Sequence, residues 1–152
     1  MHAGGAIIVK SKSEAEQVKT PFRILVVDDS DPFRRFTTST INNFPGFHVI
    51  GEAKDGLEAV QKVEALEPDL VVLDIGIPRL NGIETARKIH SVSDCKIFFL
   101  TGNPFPEVMR EALSAGANGY VVKVDASEEL HEALLAVLQG KRYISKTLAG
   151  RF

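Results

Sequence analysis

Asp28, Asp29, Asp74, Thr101 and Lys123 are the side chains whose types could do chemistry together, provided the fold gathers them in one place. Three carboxylates in close company repel one another, and each resists ionisation unless a cation sits among them. With oxygen ligands and no His or Cys beside them, the favoured cation is Mg²⁺, which takes one or two carboxylates and keeps water or phosphate oxygens in its other positions. An ammonium and a hydroxyl next to such an ion make a site for a phosphoryl group. Lys123 would act as a point charge on one phosphate oxygen and Thr101 as a donor to another. Carboxylates also serve as covalent nucleophiles in phosphoryl transfer. Asp74 is the expected acceptor, and the acyl phosphate it would form is reactive and short-lived, suited to a reversible signal. Taken singly, each residue has a plainer reading: Asp28-Asp29 as a helix cap, Thr101 as a structural strand end, Lys123 as a solvated charge. Their joint arrival is what capping alone does not explain.

That arrival depends on the elements that carry them. Leu70-Val-Val-Leu runs straight into Asp74, and Gly76 and Pro78 then stop the run. A continuous apolar, β-branched run closed by turn residues reads as a strand buried on both faces, as in parallel sheets. Ile24-Leu-Val-Val empties in the same way into Asp28-Asp29. Ser30 and Pro32 then open a helix in which Phe33, Phe36, Thr37, Thr40, Ile41 and Phe44 recur at helical spacing. Phe47 to Ala53 reads as the second strand. Asp55-Gly56 turns into a helix with Ala59, Val60, Val63 and Leu66 inward, ended by Pro68. Asn81-Gly82 opens a third helix with Ile83, Ala86 and Ile89 inward, Cys95 to Leu100 a fourth strand delivering Thr101, and residues 106–115 a fourth helix. Gly119 to Lys123 reads as a fifth strand, and a last helix runs from an N-cap at Ser127, through Leu130, Leu134, Val137 and Leu138, to Gly140. Five strands alternating with five helices predict an α/β fold with one open parallel sheet covered by helices on both faces, of order 2-1-3-4-5. In that order the first, third, fourth and fifth strands are neighbours, so their polar ends converge at the carboxyl edge, where ligands of such sheets bind.

The 152 residues suffice for one domain with a core. We expect a flexible leader over residues 1–21, the domain over 22–140 and, over 141–152, the start of a linker toward a further domain. A formal net charge of −2 exerts no general pull on nucleic acid or anionic membrane. The pairs Arg34-Arg35 and Lys141-Arg142 are too small to argue for DNA contact and read as solvated surface. A single cysteine, Cys95, excludes an internal disulfide and reads as a structural thiol. No apolar run approaches a membrane span and no secretory signal is recognisable, which makes the cytoplasm the default location.

From about residue 22 to 140 the chain resembles the receiver domain of bacterial two-component response regulators. The resemblance is carried by Ile-Leu-Val-Val-Asp-Asp, Asp-Gly-Leu-Glu-Ala, Leu-Val-Val-Leu-Asp-Ile-Gly-Ile-Pro-Arg-Leu-Asn-Gly, Phe-Phe-Leu-Thr-Gly and Ala-Gly-Ala-Asn-Gly-Tyr-Val-Val-Lys. It implies a flavodoxin-like (βα)₅ fold in which Asp74 takes a phosphoryl group from a histidine kinase, and in which Asp28, Asp29, Asp74 and the backbone carbonyl of Gly76 hold Mg²⁺. It implies further that Thr101 and Lys123 contact the phosphoryl and that Tyr120 is the switch aromatic. Phosphorylation would draw Thr101 inward, leave space for Tyr120 to turn, and change the face formed by the fourth helix, fifth strand and fifth helix. Gly76 and Asn103 stand where the family varies the residues that tune dephosphorylation. Val124 stands where many receivers have Pro after the Lys, so the geometry of that peptide is left open.

Gln-Gly-Lys-Arg-Tyr-Ile-Ser, 139–145, resembles the stretch that joins receivers of LuxR/NarL-type transcription regulators to a helix-turn-helix domain. The resemblance thus implies a non-enzymatic switch controlling transcription, with a phosphorylation-dependent homodimer as a further partner state and DNA reached only through an output domain. A stand-alone receiver working through protein contacts is the alternative. An aspartyl-phosphate phosphatase of the haloacid dehalogenase kind would carry a second Asp where Gly76 stands. A flavin binder would want a phosphate loop in place of Asp28-Asp29.

Overall fold

The computed structural model describes the backbone of residues 7–13 and 15–19 and all of residues 21–149. Within the leader, β1 (Ile7–Ser13) and β2 (Ala15–Lys19) pair antiparallel as a separate two-stranded sheet. Residues 1–6, 14 and 20 of the leader, and 150–152 of the expected linker, lie outside the described residues.

The domain follows the expected alternation. Its elements are β3 (Phe22–Val27), α1 (Asp31–Asn42), β4 (Phe47–Ala53), α2 (Gly56–Leu66), β5 (Leu70–Leu73), α3 (Gly82–Val92), β6 (Lys96–Thr101), α4 (Pro106–Ser114), β7 (Gly119–Val122), α5 (Ala126–Leu138), β8 (Tyr143–Ile144) and the short α6 (Lys146–Ala149). The sheet order is β4-β3-β5-β6-β7-β8, with every neighbouring pair parallel. Its first five strands have the expected 2-1-3-4-5 order. The sixth, β8, comes from residues read as linker and covers the edge of β7 that the five-stranded sheet would leave open. An exposed edge carries unpaired amides and carbonyls, so even two residues of pairing satisfy groups that would otherwise need water.

Alternation along each strand assigns side chains to two layers. Leu25, Val27, Val71, Leu73, Phe99, Tyr120 and Val122 pack with Val63 of α2, Ile89 of α3, Met109 of α4 and Leu148 of α6. Ile24, Val26, Val72, Phe98 and Val121 face the other way, onto Ile41 of α1 and Leu130, Leu134 and Val137 of α5. Both faces of the central strands are therefore covered, which is why their sequences run apolar without alternation.

Local signals explain most boundaries. Ser30 accepts from the amide of Phe33, Asp55 from that of Glu58 and Asn81 from that of Glu84, capping α1, α2 and α3. Two glycines are required by close approach. A Cβ at Gly56 would lie 2.3 Å from the carbonyl oxygen of Leu80, and one at Gly82 would lie 2.3 Å from that of Asp74. The first turn of α3 thus packs directly on the backbone that follows β5.

Two expectations are corrected. Ser127 does not cap the last helix: a 3₁₀ turn over Lys123–Asp125 leads into it, and the helix starts at Ala126 with Asp125 at the cap position. Arg34 is not solvated surface. It is 6% exposed, with its Nε 2.7 Å from Glu52, one terminal nitrogen 2.7 Å from Asp31 and the other donating to the carbonyl of Asp28 at 2.8 Å. Its spacing to Thr37 and Ile41 sets it on the inner face of α1, and carboxylates on two elements pair the buried guanidinium. Arg35, Lys141 and Arg142 are exposed as expected.

Candidate functional site: an acidic pocket closed by a lysine

Parallel register brings the strand ends together. Val27 pairs with Leu73, Leu73 with Phe99 and Phe99 with Tyr120, so Asp28 and Asp74 leave adjacent strands side by side. The amide of Asp74 donates to the carbonyl of Val27 at 3.1 Å. Carboxylate oxygens of Asp28, Asp29 and Asp74 all lie within 4.8 Å of one another. Asp28 and Asp74 are buried and Asp29 is exposed.

Lys123 closes the group. Its ammonium is 2.9 Å from Asp28 and 3.0 Å from Asp74, and 4.4 Å from the centre of the Phe33 ring. A cation bonded to two carboxylates over an aromatic face is held from three sides. Burial pulls the Lys123 ammonium toward deprotonation, but its hydrogen bonds and charge pairing with the two aspartates outweigh this and leave its pKa raised. Burial likewise raises the Asp28 carboxyl. The Ser30 amide and Lys123 oppose that rise, while the Asp74 charge adds to it. Asp28 also accepts from the amide of Ser30 at 2.9 Å, so it shapes the turn as well as lining the pocket.

The donor set is all carboxylate, one member open to solvent and two buried, and this fits a hard divalent cation. Gly76 is exposed, with nothing within 4 Å of a Cβ built on it, and its amide faces Asp74 at 3.4 Å. Thr101 ends β6 as a buried residue, and its hydroxyl accepts from the amide of Asn103 at 3.3 Å. Tyr120 has no exposed surface. Its hydroxyl donates to the carbonyl of Asn103 at 2.8 Å, and its ring centre is 6.2 Å from that of Phe99. Burial, then the charge of Asp74, raises the Tyr120 phenol. The Asn103 side-chain oxygen accepts from the amide of Phe105 at 3.0 Å. Thus Asp28, Asp29, Asp74 and Lys123 meet directly, while Thr101, Asn103 and Tyr120 form an adjoining hydrogen-bonded chain.

Two contributors escaped the sequence reading. Phe33 was read only as a core residue of α1, and Arg34 as surface. Phe33 forms the floor beneath Lys123, and Arg34 fixes the Asp28 carbonyl. Neither carries a local signal for these roles.

Residues 24–135 match the family described as response regulator receiver domain. The chain is 37% identical over 131 residues to the response regulator GacA of Pseudomonas viridiflava, covering 84% of this chain and 60% of that protein. It is 36% identical over 126 residues to BvgA of Bordetella pertussis, described as a putative positive transcription regulator of virulence factors, covering 82% and 60%. The chain thus spans about 60% of the length of these curated relatives. Among solved structures, a LuxR-family two-component response regulator from Aurantimonas superposes with TM-score 0.81 at 35% identity, covering 84% of this chain and 92% of that one. The receiver domain of the putative response regulator NarL from Mycobacterium tuberculosis gives 0.77 at 27%, covering 81% and 100%. With the strand order, the acidic pocket and the family match in agreement over most of its length, this chain belongs to the response regulator receiver domain family.

Proposed function

We propose that this receiver is a phosphorylation-dependent switch of a two-component system in which Asp74 accepts a phosphoryl group from a histidine kinase. The observation that carries the proposal is the ammonium of Lys123 between Asp28 and Asp74 at 2.9 and 3.0 Å. A cation held there meets a phosphoryl oxygen with little movement. In the transfer, an Asp74 oxygen forms its bond to phosphorus as the bond from phosphorus to the donor imidazole nitrogen breaks, and the electron pair stays on that nitrogen. Asp28, Asp29, Asp74 and the Gly76 carbonyl would hold Mg²⁺, which when bound supplies charge neutralisation for the incoming phosphate. Lys123 exchanges one carboxylate partner for a phosphoryl oxygen, and the Thr101 hydroxyl donates to another. Asn103, beside Thr101, with Gly76 lacking a side chain, governs access of the attacking water in dephosphorylation. The protein turns over no other substrate.

Tyr120 already stands inward, hydrogen-bonded to Asn103. Phosphorylation would hold Thr101 and thereby favour this inward state over an outward one, a shift of population that alters the α4, β7 and α5 face. The named transcription regulators among the relatives support a LuxR/NarL-type output, with DNA reached through a further domain and a homodimer as the phosphorylated form. Among the described residues no helix is long and apolar enough to cross a membrane, and we assign the protein to the cytoplasm.

The test is intact mass after incubation with acetyl phosphate and Mg²⁺. A single phosphoryl adduct is expected, lost in Asp74→Asn and with a chelator. A folded wild-type protein that takes no adduct would overturn the proposal.

A further inference from the structure

Ser145, just beyond β8, has no exposed surface. Its amide donates to the carbonyl of Tyr120 at 2.8 Å, and its hydroxyl oxygen accepts from the amide of Val122 at 3.2 Å. The same oxygen is 2.9 Å from Asp125 and 3.1 Å from Glu129, a carboxylate only 5% exposed. Thr147 donates to Asp125 at 2.8 Å, and the amide of Lys146 donates to Glu129 at 3.3 Å. Leu148 packs in the same core as Tyr120. The segment 120–125, with Tyr120 at one end and Lys123 in its middle, is therefore tied to residues 145–147 at three of its positions.

The Lys123 side chain is held by Asp28, Asp74 and Phe33, and the ties to residues 145–147 add a restraint on the backbone of its turn. Val124 stands there in place of a ring-locked proline, is 84% exposed, and the 3₁₀ turn has no side-chain cap. A hydroxyl has one proton, and two carboxylates face that of Ser145. When the proton goes to Glu129, Asp125 retains Thr147; when it goes to Asp125, Glu129 retains the amide of Lys146. The proton thus serves one carboxylate at a time, while the bonds of Ser145 to Tyr120 and Val122 and of Thr147 to Asp125 hold the turn in either arrangement.

We propose that Ser145 is a positioning residue for the phosphoryl site: by holding Tyr120, Val122 and Asp125 it sets the Lys123 turn, so that docking of residues 143–149 and phosphorylation of Asp74 favour one another. The inference rests on the phosphoacceptor reading above. At equilibrium such coupling is reciprocal, so docking that favours the phosphorylated form is itself favoured by phosphorylation.

The experiment uses the full chain with acetyl phosphate and Mg²⁺, following adduct formation by intact mass and amide exchange by mass spectrometry. Ser145→Ala is expected to slow phosphorylation about fivefold, the low end of typical coupling, while the Mg²⁺ concentration giving half the rate is unchanged. In the wild type, phosphorylation is expected to slow exchange at residues 143–149. Thr147→Val, at an exposed position, removes one tie without emptying a buried site and should slow phosphorylation in the same direction even if Ser145→Ala does not fold. Lys88→Ala, at an exposed position of α3 outside the clamp, should have no effect. Wild-type rates in both Ser145→Ala and Thr147→Val, or in Thr147→Val alone when Ser145→Ala is unfolded, with unchanged exchange, would overturn this inference and leave the phosphoacceptor reading standing. No adduct on the wild type would overturn both.

Discussion

Replacing Lys123 with methionine keeps most of the aliphatic stem over Phe33 and deletes the charge between Asp28 and Asp74, whose side chains are 5% and 12% exposed. Carboxylate oxygens of these residues lie within 4.8 Å of each other. At an effective dielectric of about 20, two unit charges at that distance repel by about 3.5 kcal/mol. Removing one partner of a buried ion pair costs about 3–5 kcal/mol, and the 21% exposure of the Lys123 side chain and protonation of Asp28 reduce this. Lys123→Met should therefore lose about 2–3 kcal/mol in chelator near neutral pH, a fall in Tm of about 4–12 °C for a domain of this size. The sign with pH is set by Asp28. Its carboxyl is already raised by burial, with Lys123 among the groups opposing that rise. A raised carboxyl contributes stability that is fully present below its ordinary value of 3.8 and lost as pH rises through the folded value. Without Lys123 the folded value rises further, so the deficit of Lys123→Met should shrink as pH falls. Urea unfolding followed by circular dichroism, on Lys123→Met, Asp28→Asn and the double variant, measures the coupling. Asp28→Asn should recover at least about 1 kcal/mol in the Lys123→Met background, and added Mg²⁺ should stabilise Lys123→Met more than the wild type. A deficit under about 0.5 kcal/mol, the usual size of surface effects, or additive single variants, would refute the electrostatic account of this pocket.

Gly56→Ala and Gly82→Ala should each destabilise by about 3 kcal/mol or more, because the new Cβ meets backbone oxygen at 2.3 Å. Gly76→Ala, with nothing within 4 Å, should stay within about 0.5 kcal/mol in the same urea titration. The chain has two tyrosines and no tryptophan, so its alkaline ultraviolet titration reads Tyr120 and Tyr143. Burial, then Glu129, pushes Tyr143 up to about 12 from 10.0, and burial also raises Tyr120. The neutral phenols contribute stability fully present below pH 10.0 and lost as pH rises toward about 12, so tyrosinate should appear late and together with unfolding. A midpoint at pH 10.0 for either tyrosine in the folded protein would contradict this.

The fold was legible because its signals are local. Strands covered on both faces run apolar without alternation, and Ser30, Asp55 and Asn81 announce the starts of their helices by bonding amides three residues on. The pocket was legible for a similar reason: a parallel sheet lines up the carboxyl ends of its strands, so residues that follow apolar runs, Asp28, Asp74, Thr101 and Lys123, must share one edge. Other features depended on contacts between distant segments. Arg34 is buried because Glu52 of β4 reaches it, Phe33 lies under Lys123 because α1 begins at the edge where β7 ends, and Asp125 starts the last helix through a 3₁₀ turn that Ser127 mimicked in sequence. β8 is two residues long, too short for any periodicity, and exists because β7 offers an unpaired edge and Ser145 finds Asp125 and Glu129 beside it. The sequence alone determined the alternation of elements and which side chains could do chemistry. Only the tertiary structure decided which of their neighbours hold them, because those bonds join residues far apart in the chain, Lys123 to Asp28 and to Asp74 among them, and leave no periodic trace along it.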